Sequence, residues 1–366
     1  MEAERWGRSR EIALITRGKP LPEPPPTPKP ARSAETCDAW HARYLTHCKE
    51  RGVVTTGDKK YRWGKWISPV IGPVPIVDIT KEQMETVRDA LDEAIVHGRL
   101  SAKTAKNAWG EVTVSFGEAA SSKRKDLRVR DDNPALGVQP PETGHPRTKV
   151  YPYPSEFAAV AACETISLAW REIHAIAAYT YLRPGELWVL SWDDVDLDDR
   201  CISVTKAWDF KNRRIKSTKT GETRSLPIEP HLLPLLERMR GAADGKGLVV
   251  PTLSKTNPDK LAIVTRKHFE LAKCKRPRLL RQSNSERHVV FRSWRDAGIT
   301  WSIVRGDDVV RVQRRAGHRL IATTMRYVVE AENRGASFGV PFPVLPACLL
   351  DPRGEVVEKL ITGVAS

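Results

Sequence analysis

Residues 316–328 read AGHRLIATTMRYV, and whether they form one helix or two decides how the C-terminal half of the chain folds. On one straight helix, nine steps of about 100° from His318 to Tyr327 put the two side chains on opposite faces. A break between them lets both face a single site. Thr323 and Thr324 are N-cap residue types, so the stretch predicts a loop carrying His318 and a new helix that begins just before Tyr327.

The surrounding chain says what such a pair would meet. Among 366 residues, 60 Lys and Arg stand against 45 Asp and Glu, a formal net charge of +15 spread along the sequence. The default partner of such a surface is a polyanion. No run approaches 18 apolar residues and the N-terminus lacks the apolar core of a signal peptide, so no membrane is expected and the reading is cytoplasmic. The six cysteines are scattered without Cys-x-x-Cys spacing and are expected as free thiols. In CDAWHARYLTHC, Cys37, His41, His47 and Cys48 offer metal-ligand types, but an ordinary amphipathic helix explains the pattern as well, and no metal is expected.

Residues 1–33 are a basic leader followed by GKPLPEPPPTPKPARS, an extended proline-rich spacer. Residues 34–130 carry helical periodicity in AETCDAWHARYLTHCKERG, DITKEQMETVRDALDEAIVHGRL and SAKTAKNAWGEVTVSFGEAASS, the second opening on a Thr80/Gln83 capping pair. They predict a small helical domain. Its Lys59, Lys60, Arg62 and Lys65, interleaved with Tyr61, Trp63 and Trp66, suit a face that grips phosphates and stacks on bases; a solvated basic loop with inward aromatics fits equally. Residues 131–154 are rich in turn formers and read as an interdomain linker. Over 155–333 a helix near 155–180, strand-like RCISVTKAW and RRIKSTKTGETRSLPI, and helices near 231–240, 262–274, 287–303 and 307–316 predict a mainly α domain with a small antiparallel β-sheet. Residues 334–366 form a tail.

Five side chains in this second half can hold or attack a phosphodiester: Arg183 in YLRPGEL, Lys219 in TKTGETR, Arg295 in FRSWRDAG, His318 in AGHR, and Tyr327. Guanidinium forks match two phosphate oxygens at once and stay charged at any working pH. Lys219, beside Gly221, can donate a proton to a leaving oxygen. Tyrosine is a weak nucleophile at its ordinary pKa of about 10 and needs cations and a proton acceptor nearby. The sequence holds neither the acidic array of a two-metal nuclease nor a glycine-rich phosphate loop, which favours a covalent, cofactor-free route.

In this order and these contexts, the five residues resemble the tyrosine recombinase family, in particular the integrases of phages and other mobile elements. YLRPGELWVLSWDDVDLD is similar to the family's first arginine box, with Glu186 after Arg183; TKTGETRSLPI to its lysine hairpin; and AGHRLIATTMRY to the box holding its second histidine and nucleophile. The resemblance implies a helical core-binding domain joined to a mixed α+β tyrosine recombinase catalytic domain. It implies Tyr327 attacking duplex DNA to give a 3′-phosphotyrosyl link, and four protomers on two recombination sites. It leaves room for a directionality factor and for association with the nucleoid.

One position departs from the pattern. The family's usual His-x-x-Arg is RSWR here, with Arg292 where the histidine would stand. An arginine stays protonated and is a poor proton shuttle, so Arg292 is expected to bind phosphate, with the proton work falling on His318 and Lys219. A DNA-binding relative without catalysis and a metal-free topoisomerase of the tyrosine kind remain as alternatives. The tail, with its apolar VPFPVLPACLL, can dock on a neighbouring protomer or pack on its own domain.

Overall fold

The computed structural model describes residues 35–142, 148–217, 223–281 and 286–352. The chain divides into two compact units, Met1–His145 and Pro146–Ser366. The leader with its proline-rich spacer, the end of the tail, and Lys219 lie outside the described residues.

The first unit is helical: α1 (Cys37–Glu50), α2 (Thr56–Arg62), a π-helical turn over Trp63–Ile67, α3 (Ser68–Ile71), α4 (Lys81–Val96) and α5 (Ala102–Ser121). Thr36 and Ser101 cap α1 and α5, and Thr80 with Gln83 closes a reciprocal capping box on α4, satisfying N–H groups that a helix start leaves bare. Trp40, Ile67, Met84, Leu91 and Phe116 form its core. Cys37, His41 and Cys48 lie on the buried face of α1, where His41 stacks on Trp63 at 3.9 Å, so the cysteine/histidine cluster is part of this packing.

In the second unit β1 (Thr148–Lys149) leads into α6 (Pro154–Ala162), α7 (Leu168–Thr180) and α8 (Pro184–Trp188). Strands β2 (Val195–Asp196), β3 (Cys201–Val204), β4 (Lys206–Asp209), β5 (Arg214–Ser217) and β6 (Arg224–Pro227) follow, then α9 (Leu233–Ala242), α10 (Pro251–Ser254), α11 (Leu261–Leu271) and α12 (Pro277–Leu280). Next come β7 (Glu286–Arg287), α13 (Ser293–Arg305), α14 (Val309–Ala316), α15 (Ile321–Glu332) and α16 (Ala347–Leu350). β2, β3 and β6 form an antiparallel sheet in the order β2-β3-β6, and β4 and β5 a separate antiparallel hairpin. β1 pairs with β7 in parallel, a pairing that period-two patterning cannot reveal in strands of two residues.

One sequence reading changes, and one of two open alternatives is met. The helix of Tyr327 starts at Ile321 with Leu320 as its N-cap, one turn earlier than the two threonines suggested, so Thr323 and Thr324 sit inside it. The described part of the tail packs on its own domain: Phe338, Phe342, Leu345 and Leu349 are buried in the unit's own core, and Ser155 N donates to Phe338 O at 3.2 Å. Three large apolar side chains of VPFPVLPACLL, with Phe338 just before it, are buried in cis and hold this stretch in place.

Helices α7 and α13 cross closely at Gly298. A Cβ built on Gly298 would stand 2.0 Å from Ala178 O and 2.5 Å from the Tyr181 ring. Neither backbone nor packed ring can yield, so Gly298→Ala is expected to destabilise the second unit by about 3 kcal/mol or more, read as a drop in the denaturant midpoint. A second expectation concerns pH. His174 is fully buried with Nε2 2.8 Å from His268 Nδ1. Burial, then the neighbouring His268, holds His174 well below the ordinary histidine value; burial, then Lys267, lowers His268 to about 4. Below the ordinary value near 6.5 the unfolded chain takes up protons that the folded one refuses. Stability therefore falls as pH drops from about 6.5 toward 4, and His268→Gln should flatten that slope in denaturation curves.

Candidate active site

The site is assembled on the C-terminal end of α14. Helix α7 terminates at Tyr181 in the left-handed region (φ 53°), turning the chain so that Arg183 becomes the N-cap of α8. Pro184 takes the first helical position, where its missing N–H costs nothing. Gly185 must be glycine in practice, because a Cβ there would stand 2.6 Å from Trp208 O on β4. Glu186 then reaches back to accept from Arg183 N at 2.8 Å. The sequence RPGE is thus a helix start made to hold an arginine and a buried carboxylate side by side.

Three guanidinium groups converge on three consecutive carbonyls. Arg224 Nε donates to Arg315 O, Arg295 Nη2 to Ala316 O, and Arg183 Nη2 to Gly317 O. These are acceptors that the end of α14 leaves open, at the negative pole of the helix. Gly317, in the left-handed region with φ 63°, closes the helix. Arg295 is 1% exposed, donates also to Tyr181 O, and its Nε has no partner among the described residues. Burial, then the nearby Arg183, lowers its pKa to about 9, which still leaves it charged at neutral pH.

Glu186 balances this charge. Its carboxylate, 3% exposed, accepts from Arg183 Nη1 at 2.8 Å and from both terminal nitrogens of Arg224 at 3.1 and 2.7 Å. Burial alone would raise its pKa, but Arg224 and then Arg183 more than reverse that and hold it at about 2.

His318 follows Gly317 directly. Its Nδ1 lies 3.0 Å from Thr324 Oγ1, and its ring stacks on Tyr327 with centroids 5.8 Å apart and planes 11° from parallel. Burial, then Arg295, Arg183, Arg292 and Lys149, pushes its pKa down to about 3, so it is neutral near pH 7. Tyr327 is 7% exposed and its hydroxyl donates to Asp296 Oδ1 at 2.5 Å. Burial and then Asp296 raise its pKa, opposed by Arg295 and Arg292. Lys149 on β1 stands over the Tyr327 ring at 5.7 Å and 3.7 Å from Asp296 Oδ1. Arg292 is the exposed N-cap of α13.

Of the residues singled out from sequence, Arg183, Glu186, Arg295, His318, Tyr327 and Arg292 thus gather in one place. Arg224, Asp296, Lys149 and Thr324 join them and were not read from the sequence. Asp296 carried a usable signal, an acid between Arg295 and an apolar helix face, since buried carboxylates nearly always have a partner. In the first unit, Lys59 and Arg62 turn toward the buried Glu111, at 2.9 and 3.8 Å, whereas Lys60 and Lys65 are exposed and Lys65 lies over the rings of Tyr61 and Trp66.

Residues 157–334 match the family model described as the phage integrase family. The second unit is a phage integrase family domain. No curated protein matches the chain by sequence. Among solved structures, a λ integrase dimer bound to a COC′ core site superposes with a TM-score of 0.62 at 16% identity, over 82% of this chain and 98% of that one. The Tn1549 transposon integrase with a circular intermediate DNA gives 0.61 at 16% identity, over 79% and 94%. A λ integrase tetramer bound to a Holliday junction gives 0.62 at 15%, over 90% and 87%. The mostly helical fold with small sheets is therefore the integrase fold.

Replacing Glu186 by Ala strands two guanidinium groups beside a buried cavity. Because losing one partner of a buried pair typically costs 3–5 kcal/mol, Glu186→Ala should lower unfolding free energy by about that much and Glu186→Gln by less, in denaturant titrations at pH 7.

Proposed function

We propose that the chain is a site-specific DNA recombinase of the integrase type, cutting and rejoining duplex DNA through a 3′-phosphotyrosyl intermediate at Tyr327. The observation that carries this reading is the gathering of Arg183 and Arg295 on the loop that carries His318, with His318 stacked on the buried Tyr327, in an integrase-family domain. In the proposed reaction Arg183 and Arg295, with Arg292 at the rim, clamp the non-bridging oxygens of the scissile phosphate, where charge accumulates as five-coordinate phosphorus forms. The unpartnered Nε of buried Arg295 is a donor that such an oxygen satisfies. Neutral His318 serves as a hydrogen-bonding group, and Lys219 protonates the departing 5′ oxygen. The 5′-hydroxyl of a partner duplex then reverses the step, so the bond energy is retained without ATP.

By analogy with the λ integrase assemblies, four protomers on two DNA sites make the active complex, with the first unit supplying further DNA contacts through Lys60 and Lys65 and, where accessible, Lys59 and Arg62. No described helix is long and apolar enough to cross a membrane, and a DNA-bound life in the cytoplasm, at the nucleoid, fits the basic charge. A directionality factor is a possible further partner. The alternative of a catalytically silent DNA binder draws on Arg292 at the position of the usual histidine.

Covalent trapping decides between them. Purified protein is incubated with nicked DNA spanning the ends of the element that encodes it, and denaturing gels are run beside Tyr327→Phe. A protein–DNA adduct is expected with the wild type and none with Tyr327→Phe, at similar DNA affinity. Arg295→Lys, which loses the planar fork, should slow adduct formation by about 10²-fold. DNA binding without any adduct would favour the silent reading.

A further inference from the structure

The residue that touches the nucleophile's hydroxyl is neither His318 nor Arg292 but Asp296. Resting on the recombinase reading, we propose that Asp296 is a catalytic residue of this chain, the acceptor of the Tyr327 proton during strand cleavage. The geometry has four parts. Tyr327 Oη donates to Asp296 Oδ1 at 2.5 Å, within the reach required of a general base. His318 lies face to face with the phenol ring and directs its Nδ1 to Thr324, so the ring is a wall of the site rather than an in-plane partner of the hydroxyl. Arg292, where a proton-carrying histidine would stand, is permanently protonated. Asp296 is itself 4% exposed, and Lys149 Nζ lies 3.7 Å from the same Oδ1.

In the cleavage step the Tyr327 Oη–P bond forms as the P–O5′ bond breaks. The phenolic proton passes to Asp296 Oδ1, and the leaving 5′ oxygen takes a proton from Lys219. One proton moves within the protein, from Tyr327 to Asp296, and one leaves it, from Lys219 to the 5′-hydroxyl; rejoining reverses both transfers. A carboxylate is a far weaker base than a phenolate, so transfer becomes favourable only as the phenol oxygen bonds to phosphorus, the situation in which a positioned base accelerates reaction. The groups facing Asp296 are Lys149 from β1 and Tyr327 and Glu330 from α15; Arg295, beside it on α13, and the N-cap Arg292 act on the same Tyr327.

The test is the single-turnover rate of adduct formation on nicked DNA between pH 5.5 and 9 for wild type, Asp296→Asn and Asp296→Glu. Thermal unfolding and DNA binding of each variant serve as controls for folding. Asp296→Asn keeps the hydrogen-bond acceptor but not the base. It is expected to bind DNA as wild type does, to form adduct about 10²–10³-fold more slowly, and to gain rate with rising pH where the wild type is flat. Asp296→Glu should recover part of the rate with the flat profile. A rate for Asp296→Asn equal to or above wild type would overturn the proposal and make the carboxylate a restraint on Tyr327. A slower rate with the wild-type pH profile would also overturn it, leaving Asp296 a packing role. Absence of adduct from the wild-type protein would sink the recombinase reading itself, a result distinct from either.

Discussion

Three arginines on three carbonyls hold this catalytic unit together. Arg224 arrives from β6, Arg183 from the start of α8 and Arg295 from α13, and each donates to one of the successive carbonyls at residues 315, 316 and 317. Segments far apart in sequence are thereby tied to the loop that carries His318. The end of α14 offers unsatisfied acceptors and the negative pole of its dipole, which is why three like charges can be brought there at all. Glu186 supplies the full counter-charge, taking hydrogen bonds from two of the three. Gly317 fits because a side chain there would press on the Arg224 guanidinium, 3.2 Å from an added Cβ.

The same concentration of cations governs protonation. It keeps His318 neutral and Glu186 ionised, in each case acting together with or against burial. On Tyr327 the influences oppose one another: burial and Asp296 favour the phenol, Arg295 and Arg292 the phenolate. A phosphate entering between Arg183 and Arg295 adds negative charge where cations now dominate. That change favours a protonated His318 and draws on the cations that oppose the phenol's proton, so substrate binding itself alters the balance at the nucleophile.

In the first unit the physics is different. Glu111 is buried on α5 and takes Lys59 and Arg62 inward, with His41 at 3.3 Å, so two of the four cations that looked suited to DNA are engaged in neutralising an interior acid. A buried carboxylate without such partners would be strongly destabilising. The aromatics of the same segment split likewise, Trp63 stacking inside on His41 while Tyr61 and Trp66 stay beneath the exposed Lys65.

By itself the sequence determined the helical periodicities, the break between His318 and Tyr327 and the cap at Thr80, and it led to the expectation that Arg183, Lys219, Arg295, His318 and Tyr327 share one site, of which the structure gathers the four described residues. Those features depend on local spacing or on side-chain chemistry, which a linear chain displays. Only the tertiary structure decided that Arg224 and Asp296 join the set, that Thr324 serves His318 rather than capping a helix, that Lys59 turns inward, and that the described part of the tail packs on its own domain. Each of those depends on which distant groups are brought within hydrogen-bond range. A charged residue reads alike whether its partner is solvent, a phosphate or a buried acid, and only packing removes the water that makes the three equivalent.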